Sequence, residues 1–92
     1  MDLQTTAELV IEKFKDAGGY SELPDEELLV SVYGFLEEIY QKHLAIAQAK
    51  IKAEENRGIF PDTKRYDAAY QGVEDIVMYY ANKLAATDRA EI

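Results

Sequence analysis

A chain of 92 residues, 48% of them apolar, is enough for one domain with a core and too short for two. It has no cysteine, which excludes disulfides, thiolate metal sites and a cysteine nucleophile. Its formal charge is −8 with no basic cluster in the sequence, which disfavours direct binding to nucleic acid or to an anionic membrane.

The opening segment carries acids inside its apolar run, unlike a secretory signal, and no stretch approaches a membrane span. The cytoplasm is therefore the expected compartment. The acid is spread along the chain, as is ordinary for a solubilising surface.

Two breaks divide the sequence into three helical segments. Gly18-Gly19 is followed by Leu23-Pro24, and Gly58 by Pro61-Asp62. Each break pairs a glycine, which tolerates a left-handed helix end, with a nearby proline. Alternating β-branched runs and hairpin turn pairs are missing, so strands are not expected. The reading is an all-α, single-domain (1–92) three-helix bundle with helices at about 5–17, 24–57 and 62–86, and dimerisation is one way of completing it.

Helix one is expected to start at Thr5, with Glu8 at capping-box spacing, and to turn Ala7, Val10, Ile11 and Phe14 inward. Pro24 suits the first position of helix two, and Asp25, Glu26 and Glu27 favour its positive end. Uninterrupted, that helix is about 50 Å long. Its apolar stripe, from Leu28 through Leu36 and Ile39 to Ala47, spans roughly 180°, more than one neighbour covers. Helix two is thus the central element. Lys50 and Glu54 fall inside its arc, so its last two turns are expected to leave the core. Helix three carries Tyr66, Tyr70, Val73, Ile76, Val77 and Tyr80 on a stripe of roughly 120°. Gly34 and Gly72 interrupt helices, which suggests a close helix approach or a kink.

The tests for chemistry fail. His43, the one histidine, lies in an apolar stripe with no Glu-x-x-His partner, so it reads as a packed side chain, and no metal is expected. Carboxylate pairs such as Glu37-Glu38 point about 100° apart and look solvated. No phosphate-binding or calcium loop and no paired serine nucleophile is present. An enzyme and a cofactor are not expected.

The aromatics are seven tyrosines and three phenylalanines, a set suited to half-buried and interfacial positions. Tyr33, Glu37, Tyr40 and Leu44 recur at three- and four-residue spacing and form one strip along the margin of helix two. Met78 and Tyr79 project away from the stripe of helix three. These six residues are the candidate protein-binding surface.

The expected function is a non-enzymatic adaptor, regulator or inhibitor that covers a partner protein's surface. Small phage-encoded inhibitors share its size and charge. Two alternatives stand beside it. One is an acidic nucleic-acid mimic with a ridge of Glu26, Glu27, Glu37, Glu38, Glu54 and Glu55. The other is a self-assembling subunit that pairs as a homodimer.

Overall fold

The computed structural model describes residues 1–86, and among them all regular structure is helical. Helix α1 runs Leu3–Asp16, α2 runs Asp25–Asn56 and α3 runs Thr63–Ala85. Each helix packs on the other two, forming a three-helix bundle. The chain beyond Ala86 lies outside the described residues.

The helix starts differ from expectation for reasons visible in their caps. The Asp2 carboxylate accepts from the backbone N–H of Gln4 at 3.0 Å and of Thr5 at 3.2 Å. It also accepts from the Thr5 hydroxyl at 2.7 Å. Asp2 is therefore the N-cap, and Thr5 sits inside the helix as a donor to it. The Thr5–Glu8 capping box does not form, and Glu8 instead accepts from the Gln4 side chain at 3.4 Å. Pro24 stands one position earlier than expected, as an extended N-cap (φ −55°, ψ 152°) before the first helical residue. Asp62 caps α3 by accepting from the N–H of Arg65 at 2.9 Å.

Both breaks end their helices in the same way. Gly18 (φ 85°) and Gly58 (φ 82°) adopt the left-handed conformation that a side chain would strain. The N–H of Gly19 then reaches back to the Phe14 carbonyl at 2.8 Å, and that of Ile59 to Glu54 at 2.9 Å. With the bonds from the N–H of Gly18 to Lys15 at 3.0 Å and from that of Gly58 to Glu55 at 2.9 Å, which span fewer residues, these are Schellman closures.

The core is built from the residues that the periodicity turns inward. Ala7, Val10, Leu28, Val32, Leu36 and Val77 form its centre, with Ala81 and Ala85 beneath α1. Phe14 is buried at the end of α1. Ile39 and Ile76, expected inside, are half-buried, and Tyr70 is exposed, because the stripes of α2 and α3 are wider than their contact.

The helices are about 21, 48 and 35 Å long at about 1.5 Å per residue. The Cα envelope measures 52 × 19 × 18 Å, a rod as long as α2. Lys15 pairs with Asp25 at 2.6 Å at one end of α1, and the Met1 amino group with Glu74 at 3.2 Å at the other. Thus α1 lies beside the first half of α2 and the second half of α3. Beyond that level α2 and α3 continue as a two-helix arm.

The far turns of α2 stay with α3, contrary to the expectation that they leave the core. Ile51 is buried, and Glu54 and Glu55 both engage α3. Glu54 interrupts the apolar stripe because it faces a cation across the helix pair.

Gly34 and Gly72 mark no close approach within the described part of this chain. A methyl group added at either position meets nothing within 4 Å. Gly34→Ala and Gly72→Ala should therefore each stabilise the free protein by up to about 1 kcal/mol, through helix propensity alone. Urea unfolding checks this, and a loss of stability in either variant would contradict it.

Candidate protein-binding surface

Helix α1 occupies one side of the α2–α3 pair and leaves the opposite side open. On its own side, α1 borders a shallow groove with α2 at Gln4, Leu29, Val30 and Tyr33. Its other flank borders α3, where Leu9 and Lys13 lie near Met78 and Asn82.

On the open side a groove begins at Phe35, Tyr80 and Leu84. It continues down the arm between Ile46 and His43 of α2 and Ile76, Gly72 and Ala69 of α3, toward Lys50 and Arg65. Helical phase joins the two stretches. Phe35 and Ile46 are eleven residues apart, about three turns, and Tyr80 and Ile76 are one turn apart.

The upper end of this groove is aromatic. The Phe35 and Tyr80 rings meet edge to face with centroids 6.3 Å apart, and Tyr79 meets Tyr80 in the same way at 5.3 Å. The Lys83 ammonium lies 5.9 Å from the centre of the Tyr79 ring. Phe35 remains 40% exposed, Ile46 42% and Tyr79 60%, so a row of large apolar groups faces solvent.

The lower end is held by charge. Arg65 grips the Glu54 carboxylate with both oxygens, Nε at 3.1 Å from each and Nη2 at 2.9 Å from Oε1. Those hydrogen bonds hold the Glu54 carboxyl below its ordinary value, with the guanidinium charge adding to them. Next to it the Tyr66 hydroxyl donates to Glu55 at 2.9 Å. That bond, together with desolvation, pushes the tyrosine above its ordinary value.

The pH dependence has a definite sign. Glu54 binds its proton more weakly in the folded than in the unfolded chain, and so does Asp2 through the Thr5 hydroxyl. Their stabilisation is complete above the ordinary carboxylate range. It is lost as pH falls through the lower folded values. Glu54→Gln should accordingly make the loss of stability between about pH 5 and pH 3 shallower than in the parent. Parallel acid titrations of the two proteins check it, and identical slopes would remove Glu54 from the account.

The six sequence-selected residues do not form one surface. Tyr33 and Tyr40 are half-buried and pack on the core beside α1. Leu44 continues that line onto the arm, half-buried, while Glu37 is exposed beside it. Met78, 37% exposed, lies against the outer flank of α1, so α1 separates it from Tyr33. Tyr79 follows Met78 in the chain but projects about 100° away from it, and its ring meets Tyr80 at the open groove.

Phe35, Ile46, Ile76 and Gly72 were not selected, although they line the open face. The excess width of the α2 stripe was the available signal, since Phe35 and Ile46 sit together at one of its edges. His43 is half-buried in the wall of the groove, as its place in the stripe implies. Among the described residues no three His, Cys, Asp or Glu side chains gather where they could hold a metal ion. No helix among those residues is long and apolar enough to cross a membrane.

Among the described residues, fold and surface together define a small three-helix bundle with a two-helix arm and a face that α1 does not cover. Neither a protein-family model, nor a curated protein, nor a solved structure matches the chain.

Proposed function

We propose that the protein is a non-enzymatic protein-binding module that acts by covering a partner's working surface. The observation that carries this reading is the uncovered α2–α3 face. Here α1 shields one side of the pair over half its length, and Phe35, Ile46 and Tyr79 stay exposed on the other. A row of large apolar and aromatic groups on a helix pair is the kind of surface at which a few residues carry most of the binding energy.

A nucleic-acid mimic has less support. It needs a ridge of solvated carboxylates, yet Glu54 is tied to Arg65 and Glu55 accepts from Tyr66.

The experiment is quantitative capture of binding proteins with the purified parent chain and two sets of variants. Phe35→Ser with Tyr79→Ser alters the open face, and Tyr33→Ala with Tyr40→Ala alters the margin beside α1. Circular dichroism confirms that each variant folds. A stoichiometric partner retained by the parent and lost with the first set supports the reading. Its affinity should weaken only modestly between low and physiological salt, whereas a phosphate mimic would weaken steeply. If the parent retains no stoichiometric protein partner, the reading fails.

A further inference from the structure

We propose that the tip of the arm, the loop at residues 57–62 between α2 and α3, docks end-on to an anionic lipid surface through Ile59 and Phe60. The proposal stands apart from the protein-binding reading, which uses the side of the helix pair and not its end.

These two side chains have no seat in the fold. Phe60 is 81% exposed and Ile59 56%. In a Schellman closure the residue after the glycine usually packs on the one whose carbonyl it bonds. At the first break that residue is Phe14, whose ring covers Gly19. At the second it is Glu54, whose carboxylate is turned to Arg65, so Ile59 lacks an apolar group to lie on there. Nor can the end of the chain reach the tip. The six residues after Ala86 begin about 35 Å away, at the other end of α3, and span at most about 21 Å.

The charge of the tip departs from that of the chain. Of the 10 basic and 18 acidic residues, five and four respectively lie within residues 50–70. Beyond Glu54 the next acid along α2 is Glu38, and beyond Asp67 the next along α3 is Glu74. They lie about 27 Å and about 17 Å from the tip ends of their helices, farther than the screening length of about 8 Å at physiological salt. A surface approaching end-on therefore meets Arg57 and Lys64, both exposed, with Lys52 behind them. It does not meet the net charge of −8, which counts against such a surface only when the chain is taken as a whole.

A pocket on a partner protein fits the tip less well. The carboxylates that could give it specificity are engaged within the chain, Glu54 with Arg65, Glu55 with Tyr66, and Asp62 with the first turn of α3. What remains is an apolar wedge with long cations on its flanks. That suits a bilayer interface, which moulds to the wedge and selects by charge.

The test uses the full-length chain with vesicles of phosphatidylcholine alone, and of phosphatidylcholine with an equal part of phosphatidylserine. The parent should co-sediment with the mixed vesicles, and its affinity should fall at least about tenfold with Ile59→Ser plus Phe60→Ser. That variant should keep the parent's urea midpoint, because both side chains are exposed. Arg57→Glu plus Lys64→Glu should weaken binding to the mixed vesicles, as should added salt. Phe35→Ser with Tyr79→Ser, on the open face, should leave it unchanged. The chain has no tryptophan, so Phe60→Trp supplies a single reporter. Its emission should shift to the blue on mixed vesicles, while that of Phe35→Trp should not move.

Several outcomes overturn the inference. They are no binding to the mixed vesicles, binding that survives Ile59→Ser plus Phe60→Ser, binding as strong without phosphatidylserine, or an unmoved Phe60→Trp emission. A protein partner lost with the two serine substitutions at the tip, in a chain that binds no vesicle, would give the tip to a protein pocket instead. The vesicle outcomes leave the reading of the open face intact, because they do not involve its residues.

Discussion

Leu36→Ala should cost about 3–5 kcal/mol of unfolding free energy, read as a fall in the urea midpoint at unchanged slope. Leu36 is fully buried at the middle of the covered half of α2, within the cluster of side chains that all three helices share. Truncation there removes apolar area and leaves a cavity that three packed helices cannot easily close. A chain of this size has about 5–14 kcal/mol in total, so the variant should be near unfolding at room temperature in mild denaturant. Ile76→Ala, at a half-buried position in the open groove, should cost clearly less. Equal costs at the two sites would mean that the groove is already filled.

The second large effect lies at the end of α1. Phe14 is 1% exposed, and its ring lies where a side chain on Gly19 would begin. A methyl group built on Gly19 comes within 2.5–2.6 Å of three ring carbons. Phe14→Ala should therefore cost about 3–5 kcal/mol as a cavity, and Gly19→Ala about 1–3 kcal/mol as overpacking. The backbone of Gly19 is not in the left-handed region, so the penalty comes from the ring and not from strain. A smaller side chain should relieve it. In Phe14→Leu, the further cost of Gly19→Ala should shrink, a coupling that a double-mutant cycle measures directly. Strict additivity would place the ring elsewhere.

Much of this fold was legible because helix periodicity and helix ends are local signals. Ala7, Val10, Leu28, Val32, Leu36, Val73 and Val77 recur at helical spacing, and all are buried. Gly18 and Gly58 close their helices through their own φ angles and neighbouring backbone groups, so nothing distant is needed to foresee them.

What misled was non-local or competed at short range. Asp2 outcompetes Thr5 as a cap because a carboxylate can accept two N–H groups and the threonine hydroxyl together. Glu54 looked like the end of a core because its partner Arg65 lies on another helix.

The candidate surface was less legible than the fold. Width of an apolar arc says that two sides of α2 are needed, but not which side α1 takes. That depends on how the short connection at residues 17–24 swings the chain. Once α1 lies against Leu29 and Tyr33, those residues border an occupied groove, and Phe35 and Ile46 inherit the open one.

The short reach of α1 also grades the molecule's resistance to local opening. Where three helices meet, an amide can exchange its hydrogen only if much of the core is exposed with it. On the arm, one helix has a single neighbour, and the tip is clasped mainly by Ile51, the Glu54–Arg65 pair and the Tyr66–Glu55 bond. Opening there exposes little apolar surface and costs correspondingly little. Amides of residues 44–56 and 66–72 should exchange orders of magnitude faster than those of 28–36 and 77–84, although all are equally helical. The protein is thus firm at one end and yielding at the other, and the yielding end is the one whose floor is lined with alanine and glycine. Any contact that packed along the arm would slow exchange over all of it, because it would supply the missing neighbour.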